Sequence, residues 1–275
     1  MSAPARVRFP FGLLRFWFAR IAPAWLGIAI LIFFMQIAVA AIVHDNLNVR
    51  TFLAFLNVLP SIVKSALGGD LLDSGSMTAL LTIGYQHPFV LFLHMLYAVG
   101  VPAGLLTAEV QKGTMELILS RPVAKTHVYL CAAIVTLVGL FGLDLVMFAG
   151  TAASVRMYRF SEPIDLYLFF RIATTAGLLA ATFGAFALLF AATFRRLYCA
   201  VGVSVGFLTI NYFIVIVAQW WPAMQFLRRA TLFYLIYYSN LWLGWPVRNM
   251  AILAAIALAA ATLGALIWRR RDLFV

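Results

Sequence analysis

Residues 21–43, IAPAWLGIAILIFFMQIAVAAIV, contain no charged side chain. At the α-helical rise this stretch reaches about 34 Å, enough to cross the ~30 Å hydrocarbon core of a bilayer. Five further runs meet the same criterion, at 89–107, 128–148, 167–192, 198–220 and 247–267. Hydrophobic residues make up 65% of the chain and charged residues 11%, with a mean hydropathy of +1.01. A soluble domain of 275 residues can bury a large core, but it does not carry six apolar runs of this length. The expected fold is therefore all-α, a polytopic membrane protein with six transmembrane helices. No repeat is visible, so residues 1–275 read as a single transmembrane domain.

Ahead of the first run, residues 7–20 mix Phe9, Phe11, Leu13, Leu14, Phe16, Trp17 and Phe18 with Arg8, Arg15 and Arg20, a composition suited to an interfacial helix. The apolar run that follows is too long for the core of a signal peptide and lacks a small-residue cleavage site, so the segment reads as retained. Six spans put both termini on one side. Placing them in the cytoplasm puts twelve of the twenty basic residues inside, including the clusters at Arg195 and Arg196 and at Arg269 to Arg271. The expected location is the inner (plasma) membrane. The net charge of +11 is spread over loops on both sides, which points to anionic lipid headgroups and not to nucleic acid. Cys131 and Cys199 lack the spacing of a disulfide framework or a metal site.

Two connections are unusual. Residues 44–88 are too polar and glycine-rich for a seventh span. Within them Phe52, Phe55, Leu56, Leu59 and Val63 stand at helical spacing, predicting a short amphipathic helix bent at Pro60, either a lid on the spans or a substrate contact. Residues 221–246 are too apolar for a solvated loop, predicting a re-entrant or surface-lying helical pair.

The polar island between the second and third spans is residues 109–125, EVQKGTMELILSRPVAK. Gly113 permits a bend, Thr114 can cap exposed amides, and Glu116 in a first turn suits the helix dipole. Leu117, Ile118 and Leu119 supply an apolar face, and Pro122 disfavours helical geometry at Arg121. The expected product is a short transverse helix flanked by Glu109, Lys112, Arg121 and Lys125, shaped to seat in a groove of another protein.

At Glu109, Gly113, Thr114, Glu116, Leu117, Leu119, Ser120, Pro122, Val123 and Lys125 the chain resembles the permeases of ATP-binding-cassette (ABC) exporters of the second type. Lys125 stands where that family often has arginine. His87-Pro88 before the second span and Asp272-Leu273 after the basic C-terminal cluster extend the likeness. The resemblance implies a permease subunit whose coupling helix rests on a separate cytoplasmic ABC ATPase, with ATP and Mg in that partner and none in this chain. It also implies a second permease copy, in a homodimer or heterodimer. Independently, none of the three lysines, Lys64, Lys112 and Lys125, lies in a phosphate-binding GxxxxGK[ST] loop, so no ATP hydrolysis is expected here.

Polar residues within the spans are costly in lipid and mark candidate pathways. Gln36, His94 and Asn211 are the candidates for a substrate path. Asp144 is the candidate for an intramembrane ion pair, expected near the outer interface with Arg156, Arg159 or Arg171, or else for a substrate or proton role. His87 and His94 lie on roughly one face but lack enough ligands, so no metal site is expected. Gly100 with Gly104, and Gly202 with Gly206, allow close helix approach within one subunit or at a dimer seam. Intramembrane catalysis lacks HExxH and GxSxG motifs. An ion-coupled transporter, or a membrane anchor moved by an ABC ATPase for mechanical or assembly work, are the other readings.

Overall fold

The computed structural model describes residues 9–45, 58, 76–160, 162–236, 241 and 243–272, and among these the chain is all-helical with no strand. Six stretches are long and apolar enough to cross a membrane, at Phe11–His44, Met77–Gln111, Lys125–Met157, Leu166–Thr193, Leu197–Ala218 and Val247–Arg270. The architecture is that of a multi-pass membrane protein. The first span is helix α1 (Phe11–Asp45). Two short helices, α2 (Met77–Leu81) and α3 (Ile83–Gln86), lead into α4 (Pro88–Pro102). A π-helical turn, Ala103–Thr107, joins α4 to α5 (Ala108–Gln111). Helix α6 (Thr114–Leu119) follows, then the long spans α7 (Lys125–Met157), α8 (Leu166–Thr193) and α9 (Leu197–Trp220). The short α10 (Gln225–Arg228) precedes the last span, α11 (Val247–Arg270).

Helix α7 is the centre of the bundle, packed by α1, α4, α8 and α11. Close approach comes from missing side chains, which is how helices pack when lipid removes the hydrophobic drive between them. A Cβ on Gly150 would stand 3.0 Å from the Phe33 carbonyl oxygen of α1. At Gly139 three helices meet: Trp25 Nε1 of α1 donates to its carbonyl at 2.8 Å, and the Tyr97 side chain of α4 fills the space a Cβ would need. Tyr97 in turn donates to the Val135 carbonyl at 3.0 Å. Gly139→Val therefore displaces Tyr97 and breaks that bond. It is expected to destabilise the bundle by about 1–3 kcal/mol, read as a lowered Tm in detergent micelles.

Helix α4 ends at a defined irregularity. Pro102 has no N–H to give the preceding turn, and the ladder widens into the π turn immediately after it. Thr107 Oγ1 fastens this turn to α8 by donating to the Ala191 carbonyl at 3.0 Å.

Three sequence expectations meet the structure here. The first concerns residues 7–20, of which those from 9 onward are described. They form no separate interfacial helix: α1 runs unbroken from Phe11 across Pro23 to Asp45. Trp17 is fully buried, and Leu13, Leu14 and Phe18 pack against the core. The second concerns residues 221–246, whose described part holds α10, a helical Leu241 and two tight turns. The tight turns are 3-10 turns at Pro222–Met224 and Leu232–Leu235 around α10. Leu232 and Ile236 anchor them against Leu179 and Phe183 of α8 and Leu253 of α11. The third concerns the glycine pairs Gly100/Gly104 and Gly202/Gly206. A Cβ at any of them would meet nothing within 4 Å, so neither pair makes a close approach among the described residues.

The amphipathic helix expected around residues 52–63 lies outside the described residues except for Val58. At the described end of that connection Ala79, Leu80, Leu81 and Tyr85 are buried, and the last three belong to the main core.

Candidate functional site

The polar island forms a platform at one end of the bundle, where both described ends of the chain also lie. Phe9 packs edge-on against His127, with ring centroids 5.6 Å apart, and Lys125 Nζ donates to the Arg271 carbonyl at 2.9 Å. Gly113 makes the turn into α6 with φ +72°, a left-handed conformation that only glycine adopts readily. Its N–H donates to the Val110 carbonyl at 3.0 Å, closing the end of α5 before the chain reverses.

Thr114 does not cap α6, as the sequence suggested, because Gly113 occupies the cap position. Its hydroxyl instead donates to the Glu109 carboxylate and lies 3.1 Å from the Glu109 carbonyl oxygen. The same carboxylate accepts from Arg20 Nη1 at 2.6 Å. Glu109 is buried, and this ion pair with hydrogen bonds on both oxygens is what makes a buried carboxylate tolerable. The clip ties α1, α5 and α6 together. Composition alone marks Arg20 as an interfacial cation; its partner lies 89 positions away, beyond any local pattern. A second tie runs from Gln111 Oε1, which accepts the Leu197 N–H at 2.9 Å and so satisfies an orphan amide at the start of α9.

Helix α6 is anchored by Met115, which is fully buried. Ile118 and Leu119 pack partly against the core. Leu117 is 70% exposed, and Glu116, Ser120, Arg121 and Pro122 surround it in solvent. The outward surface is thus one leucine in a charged rim, narrower than the three-residue apolar face expected. Ser120 Oγ donates to the Leu117 carbonyl at 2.9 Å, and Lys125 begins α7.

Behind the platform the C-terminal end of the described chain locks in. Trp268 Nε1 donates to the Lys125 carbonyl at 3.0 Å. The Arg271 guanidinium donates to the Ala192 carbonyl at 2.8 Å and the Phe194 carbonyl at 3.1 Å, capping the C-terminal end of α8. Burial, with Arg195 nearby, lowers the proton affinity of Arg271, although a guanidinium stays charged. The sequence marked this region only as a basic cluster.

The polar residues in the spans do not converge on one path. Gln36 Nε2 donates to the Gly84 carbonyl at 2.9 Å, holding α3 onto α1. Asn211 bridges locally: Nδ2 donates to the Phe207 carbonyl at 3.0 Å, and Oδ1 accepts the Leu232 N–H at 3.1 Å. Asp144 lies near the middle of α7, not at the outer end, and is buried. Its partner is His94, with Nε2 to Oδ1 at 3.3 Å, and not Arg156, Arg159 or Arg171. Arg171 is stacked 5.1 Å over the Tyr167 ring instead. The arginine expectation rested on distance along one helix; the register of α4 against α7 decides the pairing.

A groove of about 380 Å³ opens between α1 and α4, lined by Arg20, Ile28, Tyr97, Gly100 and Gly104 among others. It is apolar except at Arg20 and touches none of Gln36, His94 or Asn211. No cluster of three or more histidine, cysteine or acidic side chains positioned for a metal ion occurs among the described residues. No family model matches the chain, and no curated protein does so either.

Proposed function

We propose that this chain is the membrane permease subunit of an ATP-driven ABC exporter of the second type, in the plasma or inner membrane with both termini cytoplasmic. In this reading α6 is the coupling helix. It seats on a separate ATPase that holds ATP and Mg, and a second permease copy, identical or related, completes the transporter. The observation that carries the reading is the platform: a short helix anchored inward by Met115, clipped through Glu109 to α1, and presenting Leu117 among Glu116 and Arg121. A rigid knob with one apolar tip and a charged rim has the anatomy of a small docking surface. Load on it passes through Glu109 to the first two spans. The likeness of this segment to the coupling segment of such permeases supports the same assignment.

The test is co-expression with candidate Walker-motif ABC ATPases from the source genome. Leu117→Asp and Glu116→Lys are expected to reduce co-purification and permease-stimulated ATPase activity at least about tenfold, a loss of ~1.4 kcal/mol or more at a docking hot spot. Membrane insertion and Tm stay at wild-type values, since both positions are exposed. Wild-type co-purification and stimulation in both variants would sink the assignment of α6. Vesicle transport assays separate the related readings. ATP-dependent movement of solute supports export, stimulated ATPase without flux supports a mechanical anchor, and flux driven by an ion gradient alone supports an ion-coupled transporter.

A further inference from the structure

His94 and Asp144 meet deep in the bundle, where α4, α7 and α8 pack together. The two residues are 8% and 3% exposed. His94 Nδ1 lies 2.9 Å from the Val90 carbonyl oxygen, one turn earlier on α4. A carbonyl oxygen offers only lone pairs, so Nδ1 carries a hydrogen and donates. Nε2 is left facing Asp144 Oδ1 at 3.3 Å. Two bare lone pairs at that spacing in a buried site would repel. A proton therefore resides on one of them, as imidazolium against carboxylate or as neutral imidazole accepting from a carboxylic acid. Both assignments contain the same single proton.

Nε2 and Oδ1 stand within ion-pair distance without an aligned hydrogen bond, and the other carboxylate oxygen, Oδ2, likewise has no hydrogen-bond partner among the described residues. It faces Gly177 of α8, where an added Cβ would stand 2.8 Å from it. The other charged and titratable groups on the surrounding helices have contacts of their own, although Arg171 Nε is buried without a hydrogen-bond partner among the described residues. Arg171 of α8 stacks on Tyr167, Tyr97 of α4 donates to Val135, Tyr85 of α3 bonds Thr151, and His87 accepts from the Phe89 N–H. On α1 the nearest candidate, Gln36, is uncharged and bonded to Gly84. Among the described residues only His94 forms an ion pair with Asp144. Intramembrane acids with histidine neighbours are the groups from which proton relays are built.

We propose that His94 and Asp144 form a reversible proton-binding site within the membrane domain, its ligand a single proton shared between Nε2 and the carboxylate. On release the N–H or O–H bond of that proton breaks, its electron pair stays on the protein, and water takes the proton. Neutral imidazole and carboxylate then face each other and loosen α4 from α7. On uptake water delivers the proton and the bridge re-forms. The inference does not rest on the ABC reading.

The experiment is histidine ¹⁵N NMR of the full chain in lipid nanodiscs across pH. The four histidines are His44, His87, His94 and His127, and His94 is assigned by its loss in His94→Gln. The expected result is a His94 resonance with Nδ1 protonated, titrating apart from the other three. In Asp144→Asn it becomes an ordinary neutral imidazole with a bare Nε2 at neutral pH. Gly177→Ala removes no titratable group but crowds Oδ2, and it is expected to move the His94 midpoint by about one pH unit, tenfold in proton affinity. Should Asp144→Asn fail to fold, Gly177→Ala carries the test alone. A His94 signal that never changes with pH overturns the proposal. So does one that titrates with the other histidines and ignores Gly177→Ala.

Discussion

Gly113→Pro is expected, on the proposed coupling role of α6, to abolish stimulation of the partner ATPase while the chain still inserts in the membrane. Proline fixes φ near −65°, and Gly113 sits at +72°. Proline also lacks the N–H that closes α5 onto Val110. The turn cannot form, so α6 leaves its seat, Met115 is pulled from the core, and Thr114 no longer reaches Glu109. Gly113→Ala keeps the N–H and suffers only the left-handed penalty, about 1–2 kcal/mol. It is expected to retain most coupling with a lower Tm. Co-purification and ATPase stimulation of the two variants, beside a protease-accessibility check of insertion, measure the difference. Equal activity in Gly113→Pro and wild type would show that the geometry of this turn is irrelevant to the partner.

Trp268→Ala is expected to be the most destabilising single substitution at this end of the bundle. The indole is fully buried, donates to the Lys125 carbonyl at 3.0 Å, and lies under the Arg271 guanidinium at 5.7 Å. Soluble cores lose about 3–5 kcal/mol for such a truncation. The low end, about 3 kcal/mol, is expected here because the lost packing is not fully reinforced by transfer from water. Trp268→Phe keeps most of the ring and loses the N–H bond, at about 1 kcal/mol. Thermal unfolding in micelles ranks the two. The same comparison reports on the platform, because α7 begins at Lys125.

The spans were legible because lipid leaves the sequence little choice: each needs a long apolar run, and residues 167–192 fill all but the two end residues of Leu166–Thr193, while 128–148 sit inside the longer Lys125–Met157. The bend at Gly113 was legible for a similar reason, since few residues tolerate that backbone. What could not be read was lateral. Thr114 has the chemistry of a cap, and only the turn geometry turns its hydroxyl back to Glu109. Arg20 and Glu109, or His94 and Asp144, belong to different helices, so their meeting depends on rotation and register that no local pattern encodes. Trp17 looked interfacial by composition, and the side chains waiting for it on neighbouring helices bury it.

The π turn at Ala103–Thr107 gives the second span a mechanical character. A wide turn stores one residue of excess winding, worth about 100° of rotation if it is wound back into α geometry. His94 lies before it and Glu109 after it. Arg20 and Thr114 hold Glu109 against such a rotation, and Thr107 holds the turn itself to α8. If a partner pushes on the platform as proposed, force that releases Glu109 would twist the buried half of the helix instead of pushing it along its axis.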